Sequence, residues 1–270
     1  MMLFRTRLDM LLRRTATWVL LLALGIIISL VFVSVGAFTD QASPTPTSLA
    51  ATMLVRFPGA YDQIVAFLLG LGGLFAVVFG ASVAGSEWDW GTLKFATTRG
   101  QRRSAYMLVL FGAVALLIVF GVLIVFVVGV VGAYIGATIA GVSTDGMTDG
   151  DALANLPNLL GRAWLAITAD AAVGYAIATL ARSQLAGIGA GIALYFGGTF
   201  LQLLLPSIVK WLPFNAANAV VANTSSERMA MMGMSLDQLE PNPALVVVAL
   251  WLVGSLIVTA VYVERAEIAH

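Results

Sequence analysis

Few residues in this sequence could do chemistry, and two of them lie inside an apolar run. Arg162 and Asp170 are eight residues apart, slightly over two helical turns, so they share one face of a helix. Ionisable side chains at membrane depth are costly and mark functional sites by default, so one interpretation is a polar pathway. The alternative is that Arg162 snorkels outward near a helix end while a neighbouring helix or water holds Asp170.

A second set of residues is a short run of methionines in a polar stretch near the end of the chain. Thioethers are soft ligands that suit Cu(I), but no histidine or cysteine accompanies them. An adaptable apolar patch is therefore the favoured interpretation, and no metal site is predicted. The methionines concerned are Met229, Met231, Met232 and Met234.

Catalytic motifs are absent from the sequence. The only histidine is His270 and there is no cysteine, which excludes an HExxH zinc site, a His-based triad and thiolate chemistry. No GxxxxGK[ST] loop is present, so we expect no ATP to bind through a P-loop of this chain. The sequence predicts neither an enzyme nor a resident cofactor.

The composition identifies the class of protein that must position these residues. The chain is 60% hydrophobic and 10% charged over 270 residues, whereas soluble domains are nearer a quarter charged. Its apolar runs are long and unbroken, unlike the short alternating segments of a transmembrane β-barrel. These features predict an all-α polytopic membrane protein that forms one domain over residues 1–270.

Six segments meet or nearly meet the length of about 20 apolar residues that a spanning helix needs. An amphipathic interfacial helix is predicted before them at 2–14, and re-entrant or surface helices are predicted before the last span, within 206–242. The predicted spans are about 15–37, 64–84, 105–138, 153–180, 185–205 and 243–263.

The first apolar run has an alternative interpretation as a secretory signal, because arginines precede it and small residues end it at Val35–Ala37. The run is longer than the 7–15 residues typical of a signal core, which favours a retained helix.

The positive charges predict the orientation. In a six-span arrangement ten Lys and Arg residues fall on the side of the termini and three on the other side. Because cytoplasmic loops carry the excess of cations, both termini are expected in the cytoplasm of a multi-pass cell (plasma or inner) membrane protein.

The connector between the second and third spans is the most charged part of the chain. The stretch GSEWDWGTLKFATTRGQRRSAYML, residues 85–108, contains six charged side chains. Acidic residues at its start and basic residues further on suit the dipole of a short helix at about 86–98. Tryptophans are typical of the boundary between water and lipid. A basic loop that merely sets topology is the alternative.

The same connector resembles the ABC-2 family, the membrane permease subunits of bacterial ABC exporters. The matching pattern is a glutamate, then Gly-Thr-Leu, then two arginines before a long helix, with Gly100 where the family commonly has proline. The six spans and the stretch LARSQLAGIGAGIALY, residues 180–195, resemble the family more loosely. The matching residues are Glu87, Gly91, Thr92, Leu93, Arg99 and Arg103.

The resemblance implies a permease that works with a cytoplasmic ABC ATPase and a second permease copy in the lipid bilayer. ATP and Mg would be bound by the ATPase, and the connector would be the coupling helix that contacts it; no nucleic acid is expected. The implied contacts are Glu87, Trp88, Trp90, Gly91, Thr92, Leu93, Arg99 and Arg103. The alternatives are a secondary, ion-coupled carrier that uses Asp170, or a non-transporting membrane scaffold. The sequence does not identify the substrate.

Overall fold

A computed structural model describes residues 2–39, 46–92, 102–221 and 238–266, and every regular element in these ranges is helical. Six helices are long and apolar enough to span a membrane, which confirms the predicted all-α polytopic membrane fold. The helices are α1 (Met2–Leu12), α2 (Thr15–Ala37), α3 (Pro46–Val55), α4 (Gly59–Phe67), α5 (Gly73–Asp89), α6 (Arg103–Ile139), α7 (Gly150–Ala181), α8 (Gln184–Leu204), α9 (Pro206–Val209), α10 (Pro213–Asn218) and α11 (Pro241–Arg265).

The second span is longer than predicted and is not a uniform α-helix. Helices α4 and α5 are joined by a π-helical turn at Leu68–Gly72, so that one continuous span runs over Gly59–Asp89. It ends at Trp90, and Gly91 follows with φ of +65°, a left-handed conformation that favours glycine. Residues 86–89 of the predicted coupling helix, about 86–98, thus form the last turn of α5, and residues 93–98 lie outside the described residues.

The remaining spans begin and end within a few residues of their predicted limits. The third is a single helix of 37 residues, as predicted from its unbroken apolar run. Helix α3 was not predicted; it packs on α2, α4 and α6. The short helix α10 buries Phe214 and Ala217 against α7 and α11 ahead of the last span.

Small residues bring the spanning helices into close contact. A side chain at Gly174 of α7 would overlap the Val77 carbonyl of α5, and one at Gly80 would overlap the Ala171 carbonyl. Helices α2 and α6 approach in the same way at Gly136. Because lipid supplies no hydrophobic drive between helices, such close backbone packing is a main source of association. The α5–α7 contact places both buried carboxylates described below.

Candidate functional site

The described part of the charged connector lies at one end of the bundle, which we call the basic end. Helices α2, α6 and α8 begin there and α5, α7 and α11 end there. At this end Arg103 donates a hydrogen bond of 2.8 Å to the carbonyl of Ala266. The last turn of α5 lies among these helix ends and contributes Glu87 and Trp88.

Glu87 is the buried centre of the basic end. It is 2% exposed, and its Oε2 accepts hydrogen bonds of 2.5 Å from the hydroxyls of Tyr106 and Thr92. Arg14, just before α2, donates to the neighbouring Ser86 hydroxyl at 2.6 Å. Burial lowers the pKa of the Arg14 guanidinium, and the nearby charge of Glu87 opposes that shift. The Glu87 carboxylate thus ties α5 to α6, and the Ser86 hydroxyl ties α5 to the start of α2.

Trp88 is held by a cation from the turn between α7 and α8. The Arg182 guanidinium lies 5.3 Å from the centre of the Trp88 ring and 5.5 Å from that of Tyr262. Arg182 also donates from Nε to the Tyr262 hydroxyl at 2.9 Å. Stacking of this kind stabilises an exposed site by about 0.5–1 kcal/mol. The arrangement joins α5, α7 and α11 at their ends.

Asp89 contacts the start of α8, and Trp90, which follows it, is exposed. The Asp89 carboxylate accepts a hydrogen bond of 3.2 Å from the backbone N–H of Gln184, at the start of α8. A carboxylate at a helix N-terminus is favourable because of the helix dipole. Trp90 is 63% exposed, with the Arg14 guanidinium 5.0 Å from its ring centre. Trp90 therefore presents a large apolar surface beside a cation.

Among the described residues, the implied partner contacts divide into three groups. Glu87 is buried, and its carboxylate accepts hydrogen bonds from hydroxyls of α6 and of the connector. Arg103 is engaged by Ala266 and Trp88 by Arg182. Trp90 is exposed, and Gly91 and Thr92 are partly exposed. Leu93 and Arg99 lie outside the described residues.

The sequence did not identify the residues that hold the connector in place. Arg182 and Gln184 come from a segment that is distant in sequence, and Tyr106 follows Glu87 by nineteen residues on another helix. The available signal was positional, since polar and aromatic side chains at the ends of several predicted spans must meet at one face of the bundle.

The structure does not bring Arg162 and Asp170 together. Arg162 lies toward the opposite end of the bundle, where it donates to the Asn158 side chain, the Val220 carbonyl and the Asn242 side chain. These residues line an open pocket of about 450 Å³. Asp170 is 1% exposed and faces Gly73 of α5. A shared pathway lined by both is not formed by these contacts.

The described residues were also compared with the ligand clusters that hold tightly bound metal ions. No group of three or more His, Cys, Asp or Glu side chains could hold a metal ion there. The methionine run, Met229, Met231, Met232 and Met234, lies outside the described residues.

Comparison with known proteins gives a family and no activity. A family model described as "Protein of unknown function (DUF2705)" matches residues 26–269. No curated protein matches the chain.

Proposed function

The chain belongs to the DUF2705 family of unknown function, and we propose that it is the membrane permease subunit of an ATP-driven ABC transporter. In this proposal two permease copies form the path for an exported substrate. A separate cytoplasmic ATPase binds and hydrolyses ATP with Mg. We place the basic end in the cytoplasm, because in the six-span arrangement of the sequence ten Lys and Arg residues fall on the side of the termini and three on the other.

The observation that carries the proposal is the exposure of Trp90 on a firmly held connector. Its indole is 63% exposed, whereas Glu87, three residues earlier, is buried. Aromatic side chains are enriched among the residues that dominate protein–protein affinity. A partner that packs on Trp90 would therefore act on a surface fixed to the membrane domain.

The contacts behind Trp90 supply a route for coupling. Glu87 bonds to α6, Asp89 bonds to the start of α8, and Trp88 stacks on the residue that ends α7. A displacement of the connector would therefore be transmitted to α6, α7 and α8. Glu87, Trp88 and Arg103 are thus assigned to internal transmission, while Trp90, Gly91 and Thr92 are assigned to the partner surface. Leu93 and Arg99 keep the role that the resemblance implies.

A photocrosslinking experiment in native membranes tests the partner. Trp90→p-benzoylphenylalanine should crosslink to a soluble protein whose sequence contains GxxxxGK[ST], identified by mass spectrometry. The matched control is Phe120→p-benzoylphenylalanine, at an apolar position that is 52% exposed within α6. The proposal fails if no P-loop protein is captured at position 90, or if both positions capture the same proteins.

A second measurement tests coupling in the purified complex. Trp90→Ala should reduce ATP hydrolysis by the complex, or the affinity between the chain and the ATPase, by about tenfold. This is the effect of losing a contact of about 1.4 kcal/mol. Trp18→Ala, at a tryptophan that is 47% exposed at the start of α2, is the control. Equal effects of the two substitutions would remove Trp90 from the interface.

A further inference from the structure

Asp170 is a buried carboxyl group that the described contacts leave without a partner for one oxygen. It is 1% exposed, and within the described ranges its Oδ1 accepts no hydrogen bond. Eleven residues separate it from Ala181 at the basic end, which at 1.5 Å per residue is about 16 Å. Since the hydrocarbon layer is about 30 Å thick, Asp170 lies near its middle.

The element opposite Asp170 is the π-helical turn at Leu68–Gly72. Gly73 follows the turn, and a side chain there would place its Cβ 2.5 Å from Asp170 Oδ2. The carboxylate thus occupies space that the absence of a side chain leaves beside α5. Single π turns within α-helices occur frequently at functional sites, because they disturb the regular backbone hydrogen bonding.

A phenol completes this cluster. The Tyr195 hydroxyl of α8 donates a hydrogen bond to the Gly70 carbonyl within the π turn. The Tyr195 ring also lies 3.7 Å from the position that a Cβ on Gly73 would take. A carboxylate, a phenol and the backbone of the π turn therefore converge on one point between α5, α7 and α8.

The helices around this point bring no described cation to it. Tyr195 is the titratable group that interacts electrostatically with Asp170. The other titratable groups on the helices around this point lie toward the ends of their helices or face other partners. They are Tyr61 and Asp62 of α4, Glu87 and Asp89 of α5, Arg103, Tyr106 and Tyr134 of α6, Asp151, Arg162 and Tyr175 of α7, and Tyr262, Glu264 and Arg265 of α11. An ionised Asp170 would be an uncompensated charge, which is strongly unfavourable at this depth.

We propose that Asp170, Tyr195 and the π turn form an intramembrane site that binds one small monovalent cation, a proton or Na⁺. Occupancy neutralises the carboxylate: a proton binds to Oδ1 as an O–H group, or Na⁺ binds to carboxylate, phenol and carbonyl oxygens. Oxygen ligands suit a hard cation. The site does not depend on an ATPase partner, so the two proposals stand or fall separately.

The test is the apparent melting temperature of the full chain in detergent, followed by tryptophan fluorescence. It is measured between pH 6 and pH 9 in choline chloride, and again at pH 9 with NaCl or KCl replacing choline at equal ionic strength. For a proton site, wild-type protein should melt about 3 °C or more lower at pH 9, with no rescue by Na⁺. For a sodium site, NaCl but not KCl should raise the melting temperature at pH 9.

Two substitutions and one control make the result specific. Asp170→Asn should abolish the shift and Tyr195→Phe should reduce it at least by half, whereas Asp151→Asn at the exposed start of α7 should leave it unchanged. If Asp170→Asn does not fold, the wild-type and Tyr195→Phe titrations still decide. Identical pH and Na⁺ responses in wild type and the Asp170 variant, or in wild type and the Tyr195 variant, would overturn the proposal.

An independent measurement does not depend on stability. Dicyclohexylcarbodiimide, an apolar reagent, modifies protonated carboxyl groups, and peptide mapping reports which residue is labelled. Labelling of Asp170 should fall as the pH rises for a proton site, or on addition of NaCl at constant pH for a sodium site. Labelling that responds to neither would contradict the proposed binding.

Discussion

Two buried carboxylates in one protein have opposite surroundings. Glu87 lies at the basic end and receives hydrogen bonds from two hydroxyls, with Arg14 close enough to interact with its charge. Asp170 lies about 16 Å along α7 from that end, at 1.5 Å per residue, and has an oxygen with no described hydrogen bond. Both are almost fully buried, at 2% and 1% exposed, so the difference lies in their partners and not in their burial.

The comparison separates a structural charge from a functional one. A buried carboxylate with hydrogen-bond donors stabilises the contact that it makes, whereas one without them costs free energy unless something neutralises it. We therefore expect Glu87 to be required for the fold and Asp170 to be required for a ligand. Four substitutions test this expectation, from the largest effect on unfolding to the smallest.

The largest effect should come from separating the helices that hold both carboxylates. Gly174→Val would force a side chain into the Val77 carbonyl of α5, and overpacking of this kind costs up to about 3 kcal/mol. The free energy of unfolding in mixed detergent should fall accordingly. Gly161→Val, on the same helix with nothing within 4 Å of the added carbon, is the control. Similar losses for the two variants would show that the α5–α7 contact is not limiting.

The next largest effect should follow from removing the carboxylate that is satisfied. Glu87→Leu leaves the buried Tyr106 hydroxyl without its acceptor and removes one of the two acceptors of the Thr92 hydroxyl, which should lower the free energy of unfolding by about 2 kcal/mol. The same substitution at the exposed Glu264, which accepts hydrogen bonds from Ser104, should cost less than half as much. Denaturant titration in detergent micelles compares the two. A smaller loss at Glu87 than at Glu264 would contradict its role as the internal anchor.

Removing a single donor to the same carboxylate should have a smaller effect. Tyr106→Phe keeps the ring under the Arg7 guanidinium, 4.4 Å from the ring centre, and deletes only the hydroxyl that bonds Glu87. The expected loss is about 1 kcal/mol, the usual value of one hydrogen bond. Tyr134→Phe on the same helix, at a residue that is 44% exposed, should have no measurable effect. Thermal unfolding of the two variants side by side distinguishes them.

The smallest effect, with the opposite sign, should come from the carboxylate that is not satisfied. Asp170→Asn removes the charge and keeps the shape, so the stability at pH 9 should rise by less than about 1 kcal/mol. Glu87→Gln makes the matching change at the basic end and should lower the stability. Melting curves of both variants at the same pH provide the measurement. A loss of stability in both variants would contradict the expected difference between Glu87 and Asp170.

Most of the fold could be predicted because lipid restricts what an apolar chain can form. A spanning segment must satisfy its backbone hydrogen bonds internally, so each long apolar run had to be a helix. The third span illustrates this, since its unbroken apolar run became one helix of 37 residues. The end of the second span was misplaced because hydropathy falls at Ser86 while the helix continues to Asp89.

The site was only partly predictable. Charge density singled out the connector, and Trp90 is exposed as a partner contact would require. The burial of Glu87 depends on Tyr106, which follows it by nineteen residues and approaches from another helix. No local pattern in the sequence indicates that approach.

By itself, the sequence determined a membrane protein whose described residues include six helices of spanning length, because the length and apolarity of each run decide whether it can cross the bilayer. It also determined where the ionisable groups stand along each helix. Only the tertiary structure decided which of them gain partners. The approach of α6 to α5 places a donor beside Glu87, whereas the close contact at Gly73 leaves an oxygen of Asp170 without one. These approaches join segments far apart in the chain, so their outcome is a property of packing.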